Sequence, residues 1–123
     1  MRKEIKIGDK SVALVTNLGT ARLYEIFTKT DVFRELIALR AAAKDDPTTA
    51  ALAINELYKK LGYVMAVQAS KDSIEEMKAE MTEDKFLEWL FQFDVPDWNG
   101  EVLNEIASLW SSQTETNSSI KNA

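Results

Sequence analysis

Apolar residues alternate with polar ones only near the start of this chain, where Ile5 and Ile7 follow Glu4 and Lys6; from Leu23 onward they recur at spacings of three and four. Period two is the mark of a half-buried strand and the longer spacing that of one helix face. Gly8-Asp9-Lys10 offers a tight turn, with glycine able to take positive φ, and the β-branched run Ser11 to Thr16 returns antiparallel. A lone hairpin is marginal in water and must lay its apolar face on something. The pattern therefore predicts an α+β fold, mostly helical, with an N-terminal β-hairpin packed on about five or six helices. At 123 residues and 46% hydrophobic, the chain suffices for one core. The expected organisation is one globular domain over residues 1–110 and a disordered polar tail over 111–123, where Ile120 is the one hydrophobic side chain of any size.

Capping residues divide the helical part. A first helix starts near Thr20 and carries Leu23, Ile26 and Phe27 on one face. Asp31 is placed to cap a second, with Phe33, Leu36, Ile37 and Arg40 behind it. Asp46-Pro47 opens a third, since proline at the first helical position forfeits no needed N–H. Its stripe Ile54, Leu57, Leu61, Met65 continues past Gly62, which predicts one long helix with a weak point there. Asp72 or Ser73 caps a thin peripheral helix, and Ser73 with Glu76 fits a capping box. Thr82 caps the next, expected to run to Phe93 and to be stopped by Pro96. The last is expected from Trp98 to Trp110.

The composition removes most chemistry. Cysteine and histidine are both absent, so disulfides, thiolate zinc sites and the commonest general base are unavailable. The four glycines form no phosphate-cradling pattern. Glu75, Glu76 and Glu80 could share a helix side, but Lys71 and Lys78 lie close and nothing isolates a pair for acid–base work. No enzyme, cofactor or metal site is expected. Residues 1–44 hold nine Lys/Arg against five Asp/Glu, and residues 45–123 six against fifteen, for a net charge of −5. Nucleic acid needs clustered positive charge and is not an expected partner. Unlike charged ends can instead complement each other or a partner. Leu61 to Ala69 is broken by Gln68 and falls far short of the roughly 20 residues of a membrane span. No apolar signal core follows Met1-Arg2-Lys3-Glu4-Ile5, so neither export nor membrane insertion is expected.

The sharpest feature is Phe86-Leu87-Glu88-Trp89-Leu90-Phe91-Gln92-Phe93. On a helical wheel Phe86, Trp89, Leu90 and Phe93 share one arc, while Leu87 and Phe91 fall outside it at about 100° and 140°. So wide an apolar arc is covered either by further helices of the same chain or by a partner. Leu87 and Phe91 are the residues assigned to a partner, and Trp110, at the end of the last helix, is assigned with them.

The hairpin K-x-I-K-I-G-D-K-S-V-A-L, the helical body, the acidic aromatic helix F-L-E-W-L and the Ser/Thr/Asn tail ending near a lysine resemble the tail assembly chaperones of long-tailed, siphovirus-type bacteriophages or prophages of Gram-positive hosts. The likeness spans residues 1 to about 122. It implies a chain acting in the bacterial cytoplasm that binds the apolar, helical tape measure protein and keeps it soluble until the tail tube polymerises. It also implies self-association into rings or filaments, and a longer isoform, made by ribosomal slippage, that recruits the tail tube protein. This chain would be the short isoform. The alternative is another non-enzymatic phage or prophage protein, an adaptor or regulator with one folded partner.

Overall fold

Strands β1 (Arg2–Ile7) and β2 (Lys10–Val15) form an antiparallel hairpin joined by Gly8 and Asp9. The structure, a computed structural model, describes residues 1–122, with side chains described as far as Ser112. Gly8 takes φ 66°, as a two-residue hairpin loop requires of its first residue in one common turn type. A Cβ there would also lie 2.5 Å from Asp97 Cγ. The register opposes Ile5 to Val12 and Lys3 to Leu14, and the inner face buries Ile5, Ile7 and Leu14.

A polar knot leads from β2 into α1 (Thr20–Thr28). Thr20 Oγ1 accepts from Asn17 N–H and donates to Gln68 Oε1 at 2.7 Å, and Gln68 Nε2 donates to Asn17 Oδ1 at 3.0 Å. The residue that interrupts the apolar run in the sequence thus ties the loop to α3, so the buried Thr20 hydroxyl is satisfied. In α2 (Val32–Ala42), Asp31 Oδ1 accepts from Phe33 N–H at 2.8 Å and Arg34 N–H at 3.3 Å. α3 (Pro47–Ser70) begins on the Asp46 cap with proline in its first turn and runs unbroken through Gly62. That glycine serves packing: a Cβ on it would lie 2.9 Å from Ile106 Cδ1 of α6. α4 (Ile74–Ala79), capped by Ser73, buries none of its residues, the thin peripheral helix its composition predicts. Thr82 caps α5 (Glu83–Leu90).

Three boundaries differ from those read in the sequence. α5 stops at Leu90, because Gln92 N–H and Phe93 N–H reach back only three residues, to Trp89 O and Leu90 O, and tighten the last turn. A single 3-10 turn, Val95–Asp97, holds Pro96. α6 (Gly100–Asn122) starts after Trp98, since Asn99 Oδ1 accepts from both Glu101 N–H and Val102 N–H and so caps it. It also continues beyond Trp110, with neither glycine nor proline between there and Asn122 to stop it. The segment 111–123, expected as a disordered tail, is helical in its backbone as far as Asn122; its side chains from residue 113 on, and residue 123, lie outside the described ones.

The observed architecture is α+β and mostly helical: the hairpin and, among the described residues, six α-helices. α3 is central, touching β2, α1, α2, α5 and α6. All the buried apolar residues but Ala50, from Ile5 in β1 to Trp110 in α6, form one cluster. Among the described residues no helix is long and apolar enough to cross a membrane.

Candidate protein-binding surface

α5 has two apolar faces of unlike fate. Its inner face enters a chain of aromatic rings. Phe86 lies 5.6 Å from Phe27 and 5.5 Å from Tyr63 between centroids, Tyr63 lies 5.5 Å from Trp89, and Trp89 packs on Phe93 at 5.3 Å and Trp98 at 6.4 Å. All five contacts are edge-on or tilted, and ring quadrupoles favour the edge-on arrangement. Polar tips are satisfied as well. Tyr63 Oη donates to Glu80 O at 2.6 Å, and Trp98 Nε1 donates to Asn55 Oδ1 at 2.9 Å. Burial, then the nearby charges of Glu80 and Glu88, push the Tyr63 phenol well above its ordinary value.

The outer face is bare. Leu87 is 37% exposed, Phe91 79% and Val95, in the 3-10 turn, 90%. Leu87 and Phe91 are four residues apart, and Phe91 N–H donates to Leu87 O at 2.9 Å, so they are consecutive steps of one ridge. Thr82 caps the start of this helix and the ring cluster anchors its opposite face. Glu83, Asp84 and Glu88 border it, all exposed.

Of the three residues assigned to a partner, the structure brings Leu87 and Phe91 together and places Trp110 elsewhere. Trp110 is only 6% exposed, in the core at the α2–α6 contact, with its ring 5.2 Å from that of Phe33. It is a packing residue, corrected here because the chain continues as helix beyond it and Phe33 covers it. Val95 was missed: an apolar residue between Asp94 and Pro96 looks like part of a helix stop. A second bare pair, Phe33 and Ile37, lies on α2. The sequence offers α2 two apolar faces; of the expected stripe the core takes Leu36, joined by Val32, and leaves Phe33 and Ile37 exposed.

The carboxylates considered for acid–base work do not converge. Glu75 and Glu76 are exposed on α4 and Glu80 is its C-cap. Among the described residues no group of three or more acidic side chains is placed to hold a metal. Tyr24 Oη donates to Glu35 Oε2 at 2.8 Å, and Thr30 Oγ1 donates to the same oxygen at 2.9 Å, which ties α1 to α2. Comparison with models of known protein families, with curated proteins and with solved structures finds no match for this chain.

Proposed function

We propose that this chain is a non-enzymatic binding protein that holds an apolar helical client, acting as the short isoform of a phage tail assembly chaperone whose client is the tape measure protein. One observation carries the reading: the ridge Leu87–Phe91 is bare, with Val95 exposed in the turn that follows, while the helix is anchored by a continuous ring cluster on its other face. A bare, fixed ridge suits a client helix, because apolar side chains at i, i+3 and i+4 can straddle it without reordering the protein. Aromatic anchors of this kind typically cost about 2 kcal/mol or more of binding when truncated. The sequence resemblance supplies the identity of the client and the role of a longer isoform in recruiting the tail tube protein.

Self-association belongs to the same proposal. Arg2, Lys3, Lys6 and Lys10 are exposed on the hairpin, and Glu75, Glu76, Glu83 and Asp84 are exposed on α4 and α5. None of these is ion-paired among the described residues. The unlike surfaces suit a head-to-tail contact, the kind that builds rings or filaments.

Co-expression with the tape measure protein of the same phage or prophage tests the reading. The wild-type chain is expected to keep that client soluble. The double variant Leu87→Ser/Phe91→Ser is expected to lose it while keeping its own circular dichroism and melting temperature. A folded double variant that still holds the client would remove the ridge from the mechanism.

A further inference from the structure

The two edges of the hairpin are built differently. Met1 and Thr16 exchange both backbone hydrogen bonds, each at 2.9 Å. Alternation along an antiparallel ladder then makes Arg2–Val15, Glu4–Ala13 and Lys6–Ser11 the pairs whose N–H and C=O groups look away from the partner strand. On β1 those outward positions are Arg2, Glu4 and Lys6; Glu4 and Lys6, charged and exposed, are the usual protection of a sheet edge, while Arg2 Nη1 reaches to Ala69 O of α3 at 3.5 Å. On β2 they are Ser11, Ala13 and Val15, which carry no charge. No backbone partner is found for Ser11 or Ala13 on that side among the described residues.

This unguarded edge is one wall of a groove of about 450 Å³ between β2, the C-terminal half of α3 and α5. Ala66, Trp89 and Phe93, all half-buried, supply apolar surface opposite the strand. Two lysines of the rim, Lys10 and Lys71, have no ion pair among the described residues. A third, Lys85, is engaged with Glu88 at 3.7 Å, and Glu80 is the other acidic residue of the lining.

We propose that the open edge of β2 binds an extended apolar peptide segment of a partner protein, flanked by acidic residues, by strand addition. Only an extended backbone offers N–H and C=O groups at the spacing of Ser11 and Ala13, because a helix has already used its own. Alternate side chains of the added strand would face Trp89 and Phe93. Carboxylates at its ends would meet Lys10 and Lys71. The site is separate from the α5 ridge and does not depend on the client named above.

The test uses the full chain and the hexapeptide Glu-Val-Thr-Val-Thr-Glu, blocked at both ends. Amide shifts and hydrogen exchange are followed by NMR during titration. Binding is expected to slow exchange at Ser11 and Ala13 and to shift Trp89. N-methylation of the peptide amides on the strand-facing side is expected to weaken binding by about tenfold or more, since each removed donor strands a buried acceptor. Replacing both glutamates by lysine is expected to weaken it as well. Ala13→Pro removes only an outward N–H, which an edge strand tolerates, and is expected to abolish binding. The N-methylated peptide gives the same information with the protein unaltered. Equal affinity of the methylated peptide, shifts confined to Leu87 and Phe91, or protection of Ser11 and Ala13 that follows protein concentration without peptide would each overturn the proposal. The last of these would assign the edge to a second copy.

Discussion

Lys29 shows how one residue can be held against its preference. It closes α1 at φ 65°, the left-handed region, and its N–H donates to Glu25 O while its Nζ donates to Ile26 O at 3.0 Å. A side chain there costs roughly 1–2 kcal/mol relative to glycine, and the exposed Nζ bond returns only part of that. Lys29→Gly is therefore expected to stabilise the fold by about 1 kcal/mol, read as a higher urea midpoint at unchanged slope. Asp46 is a case of charge at a cap. Hydrogen bonds from Thr49, first its side chain and then its backbone N–H, hold the Asp46 carboxyl below its ordinary value. A carboxyl lowered in the folded state stabilises above its unfolded value and stops doing so as acid carries the pH down through the folded one. Asp46→Asn keeps a capping oxygen without the charge. The wild type is expected to be the more stable at neutral pH, with the gap closing on acidification below the carboxylate range. A gap independent of pH would show that the cap works without its charge.

At the scale of elements, the α3–α6 crossing turns on Gly62. The sequence presents this glycine as a weak point or stop within a helical stripe; in the structure it is the place where Ile106 and Trp98 approach the α3 backbone, at 2.9 Å and 3.6 Å from a virtual Cβ. Gly62→Val adds branched bulk against a buried isoleucine. The expected cost is about 1–3 kcal/mol, measured by chemical denaturation, even though helix propensity alone favours the change. If Gly62→Val instead stabilised the protein, α6 would have to be free to move away from α3. The N-caps at Asp31, Asp46, Ser73 and Thr82 were all legible in the sequence, because a cap is a local matter of one side-chain oxygen and the next few N–H groups. The end of α5 was not legible. It depends on Phe93 turning back onto Trp89, and that needs the ring cluster to exist first.

Across the whole molecule, the core and the bare ridge separate two neighbouring aromatics of one helix. Phe86 is buried among Phe27 and Tyr63, and Phe86→Ala is expected to cost about 3–5 kcal/mol. Phe91 projects from the same helix end, and Phe91→Ser is expected to change stability by no more than about 0.5 kcal/mol. Paired thermal melts of the two variants check this directly. A large loss at Phe91 would mean that the ridge is covered by the rest of the chain.

Period two at Ile5 and Ile7, the glycine of the hairpin loop, the caps and the stripe of α3 are properties of nearest neighbours along the chain, and from them the sequence by itself determined a hairpin followed by helices. The wheel also determined that Leu87 and Phe91 lie apart from Phe86 and Trp89, since that is geometry within one helix. Which apolar faces are covered was decided only by the tertiary structure. Trp110 is core because Phe33 lies over it, and α2 buries Val32 and Leu36 because that side meets α1 and α3. The open edge of β2 arises the same way: the register says which groups look outward, but only the placement of α3 and α5 makes a groove beside them. Burial is a relation between segments distant in sequence, and local patterns of hydrophobicity carry no information about which segment arrives.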